Sequence, residues 1–252
     1  MDASWLYPAL FVAGLSAGFI DAIAGGGGLI TVPVLLWAGL PPQIALGTNK
    51  LQSSCGTALA AWRYGRAGFL RWKALLPVLA ITLAASTLGA FAVSKIDAGF
   101  LRQLIPALLI GIAIWLWLQP NIGVKPGLPR LSPGVFGLIF GTALGFYDGF
   151  FGPGTGSFWT IAFMLLLGLD LSTATGHTKA VNLASNLGAL LIFIPSGQIR
   201  YDFAAVMIFG QLLGARMGSG LVITRGSRFI RPVFLTVVIA IAARLLWQNL
   251  RA

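Results

Sequence analysis

GFIDAIAGGG at residues 18–27 and GFYDGFFGPG at residues 145–154 are two versions of one short motif. The copies align without a gap, from Gly18 with Gly145 onward, and five of their ten positions are identical, including the aspartates Asp21 and Asp148. In each copy an apolar run carries one carboxylate and then meets a glycine cluster, which interrupts a helix. Short apolar segments that are broken at matching positions in two halves are typical of membrane proteins with internal repeats and a central binding site.

The composition of the chain excludes a soluble protein. Of its 252 residues 57% are hydrophobic and 9% are charged, the mean hydropathy is +0.88, and glutamate does not occur. Ordinary globular proteins carry about 25% charged residues, so a surface this poor in charge has to face lipid. The net charge of +11 is spread over short loops, unlike the single basic face of a nucleic-acid binder. We therefore predict an all-α polytopic integral membrane protein, and exclude soluble enzymes, nucleic-acid binders and secreted disulfide scaffolds.

The repeat continues beyond the motif after a short insertion in the second half. The shifted register pairs Gly47 with Gly176 and Lys50 with Lys179, in the same order along both halves. The match predicts an internal repeat of about five apolar segments in each half. We therefore expect a first membrane repeat at 1–119, a cytoplasmic linker at 120–132 and a second membrane repeat at 133–252.

Ten apolar stretches are candidates for membrane helices. A bilayer core is crossed by about 20 helical residues, which the charge-free stretch 74–94 provides. The stretches 28–40 and 157–169 are too short to cross alone, and both adjoin the glycine and proline clusters. We expect discontinuous helices at these breaks and about eight to ten crossings in total. The ten stretches are 3–23, 28–40, 43–62, 74–94, 103–119, 133–150, 157–169, 171–195, 203–222 and 232–248.

The basic residues predict the orientation in the membrane. Lysine and arginine are concentrated in the loop 63–73, the linker 120–132 and the loop 223–231. The positive-inside rule places these three segments in the cytoplasm. The counterpart of loop 63–73, at 197–202, then lies on the opposite side, which requires an odd number of crossings in each repeat. We therefore expect two inverted-topology repeats, with both termini outside the cytoplasm.

The repeat-equivalent lysines Lys50 and Lys179 lie inside apolar stretches. An ionisable group at mid-bilayer costs about 2.5–3.5 kcal/mol, so it marks a functional site or a satisfied pair. We expect each helix to begin just before its lysine, so that two helix N-termini and two cations form an anion site. Alternatively, each lysine extends to an interface or pairs with a nearby aspartate. The polar groups expected beside the lysines are Thr48, Asn49, Ser53, Thr57, His177, Thr178, Asn182 and Asn186.

The motif aspartates and glycines have two interpretations each. Asp21 and Asp148 either cap backbone groups freed by the break and balance the lysine charges, or they carry protons. The glycine clusters either expose N–H groups as a nest for an oxyanion or allow close packing of helices. A carboxylate in direct contact with the substrate would repel an anion, which favours the capping or pairing role for both aspartates.

His177 and Arg216 are further candidates. His177 is the only histidine, which excludes a histidine-cluster metal site, and we predict no metal and no cofactor. Its imidazole is either a proton-coupling group or a hydrogen-bonded polar residue of the helix packing. Arg216 is either a bidentate clamp for an oxyanion or an arginine that reaches the membrane interface. The sequence has no nucleophile–histidine spacing typical of a hydrolase, so we do not expect an enzyme.

These motifs resemble those of the TauE/SafE sulfite exporter family, also called the 4-toluene sulfonate uptake permease family. The resemblance rests on residues 18–50 with GTNK at their end, on 145–158, on GHTK at 176–179 and on GQLLGARMG at 210–218. It covers nearly the whole chain and is greatest to the bacterial inner-membrane branch of the family. The resemblance implies a multi-pass protein that transports sulfite, thiosulfate or organosulfonates across the bacterial inner (plasma) membrane, and in that membrane the orientation expected from the basic residues makes both termini periplasmic.

Together, the residues and the resemblance predict a permease or exporter of small sulfur oxyanions, with alternating access of two repeats around a midplane anion site. The alternative is a cation- or proton-coupled carrier of another substrate that uses Asp21 and Asp148. The expected partners are the small anion, the lipid bilayer and protons, and no nucleic acid. The predicted substrate-binding residues are Gly25, Gly26, Gly27, Thr48, Asn49, Lys50, Ser53, Gly152, Gly154, Thr155, His177, Thr178, Lys179, Asn182 and Asn186, with Arg216 as an additional anion clamp.

Overall fold

The computed structural model describes residues 5–117 and 128–225, and every regular element within these ranges is helical. The predicted all-α fold is therefore confirmed. Nine of the ten predicted apolar stretches correspond to helical segments, and the stretch 232–248 lies outside the described residues. The elements are α1 (Leu6–Ala24), α2 (Gly28–Trp37), α3 (Pro42–Arg66), α4 (Trp72–Ser94), α5 (Ala98–Trp117), α6 (Pro133–Phe136), a π-helical segment (Gly137–Gly141), α7 (Thr142–Phe150), α8 (Thr155–Leu167), α9 (Leu171–Phe193) and α10 (Tyr201–Arg225).

Both copies of the motif interrupt a helix, as the sequence predicted. Between α1 and α2, Gly25 and Gly26 have φ angles of 72° and 113°. Between α7 and α8, Gly152 and Gly154 have φ angles of 98° and 83°. Only glycine adopts such angles without steric cost, so the glycine clusters determine where the chain leaves one helix and enters the next.

The polar helices α3 and α9 begin well before their lysines. Pro42 is the first residue of α3, a position where the missing N–H of proline has no intrahelical partner to lose. The carboxylate of Asp170 caps α9 by accepting hydrogen bonds from the N–H groups of Ser172 at 3.0 Å and Thr173 at 3.1 Å. The two helices contact each other in the interior of the fold. Most of the buried polar side chains among the described residues lie on these two helices.

The two halves pack against each other in a reciprocal way. Helix α1 packs against α10, and its repeat equivalent α7 packs against α4, the equivalent of α10. In the same manner α4 packs against α9, and α10 packs against α3. Exchanging the halves reproduces the same set of helix pairs, which supports the predicted internal repeat. The inverted orientation of the repeats relative to a membrane stays a prediction.

Glycines bring the reciprocal helix pairs into close contact. A Cβ atom on Gly18 of α1 would collide with the backbone of Gln211 in α10, and one on Gly145 of α7 would collide with the backbone of Thr82 in α4. Gly145 is the equivalent of Gly18 in the register of the motif, and Gln211 is the equivalent of Thr82 in the register that pairs the two lysines. The same contact between the halves is therefore made twice.

The outer surface of the fold is apolar. Helices α1, α4 and α10 are long and apolar enough to cross a membrane, and large apolar side chains on α4 and α10 face outward. Soluble monomers rarely expose such a surface, so the fold is that of a polytopic membrane protein. The total of eight to ten crossings stays a prediction. The outward side chains include Leu76, Leu88, Phe91, Phe209, Leu213 and Met217.

Candidate functional site

A polar cavity lies between the two helix breaks and the central parts of α3 and α9. It has a volume of about 30 Å³, and both halves of the chain contribute to it. Its lining combines carboxylate, ammonium, amide and hydroxyl groups with glycine backbone, which suits a small polar or charged molecule. The lining residues are Asp21, Gly26, Gly27, Gly28, Asn49, Lys50, Ser53, Thr57, Asp148, Gly152, Thr155, Gly156, Asn182 and Asn186.

Two ion pairs connect the halves at this cavity. Lys50 Nζ lies 2.7 Å from Oδ1 of Asp148, and Lys179 Nζ lies 3.0 Å from Oδ2 of Asp21. All four side chains are largely buried, with exposures between 0% and 13%. Lys50 lines the cavity, whereas Lys179 lies behind Asp21 and also donates to the backbone oxygen of that residue. The pairing of each lysine with an aspartate, which the sequence left open as an alternative, is thus present.

The prediction that α3 and α9 begin just before their lysines is wrong. Helix α3 begins at Pro42 and α9 at Leu171, which places Lys50 and Lys179 each eight positions further along. Their ammonium groups therefore belong to helix interiors and not to N-terminal ends. The helix N-termini that adjoin the cavity are those of α2 and α8, which follow the glycine breaks. The error arose because the polar residues were assumed to mark a helix start, whereas Pro42 and the cap Asp170 mark it.

Asp21 fills the nest that the sequence predicted for an oxyanion. Its Oδ1 accepts hydrogen bonds from the N–H groups of Gly26 at 3.2 Å and Gly27 at 3.4 Å. The carboxylate thereby satisfies backbone N–H groups at the start of α2, which have no partner within that helix. Asp21 has both of the structural roles considered for it, since it caps the break and balances the charge of Lys179.

The two breaks lie against each other. A Cβ atom on Gly25 would come within 2.5 Å of the carbonyl carbon of Gly156, and one on Gly28 within 3.2 Å of the Cα atom of Pro153. The hydroxyl of Ser157 lies 3.2 Å from the backbone oxygens of both Ala24 and Gly25 and donates to them. The end of α1 and the start of α8 are therefore joined directly, and the cavity lies beside this crossing.

Amide side chains supply polar groups to the cavity wall. Asn49 Oδ1 accepts hydrogen bonds from the Thr31 hydroxyl at 2.5 Å and from Gln52 Nε2 at 3.0 Å. Asn182 Oδ1 is buried and has no hydrogen-bond partner among the described residues. A buried polar atom without a partner is costly, and rotation of the amide exchanges its oxygen and nitrogen. Asn182 can therefore offer either an acceptor or a donor to a bound molecule.

Besides Lys179, two predicted residues of α9 lie outside the cavity. His177 Nδ1 is 2.9 Å from the backbone oxygen of Thr173, and the residue lines a second cavity of about 210 Å³ with mostly apolar walls. The hydroxyl of Thr178 lies 3.0 Å from that of Thr160. Residues two positions apart on a helix do not share a face, so His177 points away from the side of α9 that carries Lys179.

Four other predicted residues are also absent from the cavity lining. Thr48 accepts a hydrogen bond from the N–H of Arg200 at 2.9 Å. Arg216 is exposed on α10, so the structure does not place it as an anion clamp at the cavity. Gly25 and Gly154 shape the breaks, but they do not face the enclosed space.

Two cavity residues, Gly28 and Gly156, were not predicted. The sequence held a signal for both of them. Gly28 is the last residue of the glycine cluster, and Gly156 is the equivalent of Gly27 in the register that pairs Lys50 with Lys179.

A family model described as "Sulfite exporter TauE/SafE" matches residues 10–245 of the chain. The chain belongs to the TauE/SafE family. It is 44% identical over 237 residues to the probable membrane transporter protein ORF9 of a Sinorhizobium species, covering 94% of this chain and 91% of that protein. It is 43% identical over 254 residues to the probable membrane transporter protein YfcA of Escherichia coli, covering 99% and 93% respectively. No solved structure matches the chain.

As a member of the TauE/SafE family, the chain is a membrane transporter and not an enzyme, which confirms the resemblance found in the motifs. The two ion pairs make the cavity of this family member electrically balanced, because the charges of two lysines and two aspartates sum to zero. Any charged molecule that enters must therefore displace a partner or bring a counter-charge with it.

Proposed function

We propose that the chain transports small sulfur oxyanions, such as sulfite, thiosulfate or organosulfonates, across the bacterial inner membrane through this cavity. The observation that carries the proposal is the position of Lys50. Its ammonium group lies at the cavity wall among amide, hydroxyl and glycine backbone groups. A compact anion with several oxygens can accept from the ammonium of Lys50 and from the side-chain amide of Asn182, and hydrogen bonds to charged groups are the stronger ones.

Transport by alternating access fits the reciprocal packing of the halves. In this mechanism the first repeat (1–119) and the second repeat (133–252), joined by a cytoplasmic linker at 120–132, exchange a closed gate around the cavity. The contacts that differ between the two states would be those between α1 and α10 and between α4 and α7, with the crossing of the breaks as the pivot. Periplasmic termini and inverted topology are parts of this proposal.

A second candidate function follows from the aspartates of the lining. Asp21 and Asp148 both face the cavity, and carboxylates inside a membrane are typical of ion and proton pathways. In this case the chain is a cation- or proton-coupled carrier of another substrate. Replacing both aspartates with asparagine would then abolish flux, whereas replacing the lysines would have mild effects.

Thermal stabilisation by anions tests the proposal. The purified protein is heated with sulfite, thiosulfate, methanesulfonate, sulfate, phosphate or chloride, because a ligand that binds only the folded state raises Tm. We expect a rise with the sulfur oxyanions that disappears in Lys50→Ala. The rise should persist in Lys95→Ala, which changes an exposed lysine outside the cavity. Stabilisation by Na⁺ or by a change of pH alone, with no response to any anion, would favour the second candidate.

A further inference from the structure

The two ion pairs of the cavity are held by different kinds of partner. From this difference we infer that Asp148 carries a proton that enters with the anion, and that Asp21 is a structural residue. The inference rests on the proposed anion transport, and it assigns the co-transported ion and the residue that binds it.

Asp21 is fixed by the backbone of its own break. Its Oδ1 accepts from the N–H groups of Gly26 and Gly27, while Oδ2 pairs with Lys179. In the second half the position equivalent to Gly26 is Pro153, and proline has no N–H. Asp148 cannot acquire the same set of backbone bonds in any conformation of the transporter, so this difference between the halves is permanent.

Asp148 is held by two side chains. Lys50 on α3 binds Oδ1 at 2.7 Å, and the hydroxyl of Ser185 on α9 donates to Oδ2. The residue equivalent to Ser185 in the first half is Gly56, which has no hydroxyl to offer to Asp21. Separating Lys50 from Asp148 breaks only contacts between side chains. Separating Lys179 from Asp21 also breaks the bond to the backbone oxygen of Asp21, and moving the Asp21 carboxylate breaks two further bonds to backbone N–H groups. The pair that can open for a substrate is therefore Lys50–Asp148.

Charge balance requires a proton when this pair opens. With both pairs intact the buried charges sum to zero, and an anion at Lys50 adds a negative charge at a depth where uncompensated charge is costly. A proton bound to Asp148 converts its carboxylate into a neutral carboxyl group. Lys50 remains an ammonium and donates to the anion in place of Asp148. When the anion leaves, the proton is released and the ion pair forms again.

The groups around Asp148 make its carboxylate the site that takes up the proton. Among the described residues, the charged and titratable groups around it are Lys50 from α3, Tyr147 from its own helix and Asp21, which lines the same cavity. The Tyr147 hydroxyl donates to the backbone oxygen of Pro153 at 2.8 Å. Helices α4 and α9 also pack on α7. The Ser185 hydroxyl of α9 donates to Asp148, the Ser86 hydroxyl of α4 donates to the backbone oxygen of Ser185, and Thr82 of α4 lies beside Gly141 and Gly145. Helix α8 contributes Thr155 at the cavity wall.

A transport assay in proteoliposomes distinguishes the roles of the two aspartates. Asp148→Asn and the matched variant Asp21→Asn are reconstituted, and uptake of radiolabelled thiosulfate and methanesulfonate is measured with and without an inward proton gradient. Both are anions of strong acids, so any proton that crosses with them must be carried by the protein. For one proton per methanesulfonate, we expect the wild type to accumulate this anion about tenfold per pH unit.

The uptake that remains in Asp148→Asn, whatever its rate, should no longer respond to the proton gradient. Asp21→Asn should have a lower Tm and keep the accumulation ratio per folded molecule. The reverse result, with coupling lost in Asp21→Asn and kept in Asp148→Asn, would overturn the assignment.

The wild type alone provides a second measurement if Asp148→Asn does not fold. A fluorescent pH indicator inside the vesicles should report acidification as methanesulfonate enters. Anion influx without acidification would refute proton coupling while leaving the proposed transport intact. If the wild type exchanges neither anion, the proposed function itself fails, and the inference fails with it.

Discussion

The backbones of Gly25 and Gly156 meet at the crossing of the two helix breaks, where a Cβ atom on Gly25 would lie 2.5 Å from the carbonyl carbon of Gly156. One residue belongs to the first half of the chain and the other to the second. The crossing therefore requires glycine on both sides, and it fixes the distance between the two motif copies beside the cavity.

Gly25→Ala should strongly destabilise the protein. Gly25 combines a φ of 72° with a ψ of 149°, a region open essentially to glycine alone, and its new methyl group would overlap Gly156. We expect a loss of about 2–5 kcal/mol from backbone strain and overpacking, measured as a lower Tm in detergent. Gly39→Ala is the matched control, because Gly39 has a φ of 87° but no atom within 4 Å of its Cβ position. If both variants lose the same stability, close approach at the crossing is unimportant.

The buried ion pair should show strong coupling in a double-mutant cycle. Lys50→Met and Asp148→Asn each leave one charge without its counter-charge, and removing one partner of a buried pair costs about 3–5 kcal/mol. The double variant removes both charges, so its loss of stability should be smaller than the sum of the single losses. The exposed pair Arg200–Asp202, at 2.6 Å, should give a coupling energy below about 1 kcal/mol. If the losses of stability at Lys50 and Asp148 are additive, the interaction between the two side chains does not contribute to stability.

Gly89→Ala and Gly218→Ala should be similarly destabilising. Their Cβ atoms would collide with the backbone oxygens of Phe146 and Phe19, respectively, which are equivalent positions of the repeat. Overpacking costs about 1–3 kcal/mol. In contrast, Gly111→Ala on α5, where nothing lies within 4 Å, should be neutral or stabilise the helix by up to about 1 kcal/mol. Very unequal effects at Gly89 and Gly218, measured by thermal unfolding, would contradict the reciprocal packing.

Tyr64→Phe should weaken the end of α1. The buried Tyr64 hydroxyl donates to the backbone oxygen of Ala22 at 2.7 Å, one of the last carbonyls of a helix that stops at Ala24 and so lacks an intrahelical partner. Its removal leaves a buried acceptor unsatisfied, which costs about 1–3 kcal/mol. Tyr7→Phe is the control, because its hydroxyl makes an exposed contact of 3.4 Å with Asp202. Equal Tm values for wild type and Tyr64→Phe would show that this bond is dispensable.

The sequence was informative about segments and breaks because those depend on local chemistry. Glycine at Gly25 and Gly152 determines the backbone angles directly, and apolar length determines which stretches become helices. Which aspartate pairs with which lysine was not predictable in the same way. Lys50 had two aspartates available, and the pairing with Asp148 rather than Asp21 depends on how α3 and α7 pack across the halves.

Some of the site errors could have been avoided by helix geometry. Once Lys50 and Lys179 are treated as interior helix residues, Thr48 and His177 lie two positions away and must point elsewhere. The same argument applies to Arg216, which lies two positions from both Gly214 and Gly218, the residues that face α1. The nest at Gly26 and Gly27 could not be resolved from sequence, because its N–H groups suit a carboxylate of the chain as well as a substrate.

The separation of the ion-pair partners along the chain has a consequence for biosynthesis. Lys50 is 98 positions from Asp148, and Asp21 is 158 positions from Lys179. A ribosome delivers α1 and α3 to the bilayer before α7 and α9 have been translated, so Asp21 and Lys50 enter without their final partners, at a cost of about 2.5–3.5 kcal/mol each. The first half on its own would be an assembly intermediate with two unpaired charges, which α7 and α9 neutralise when they arrive.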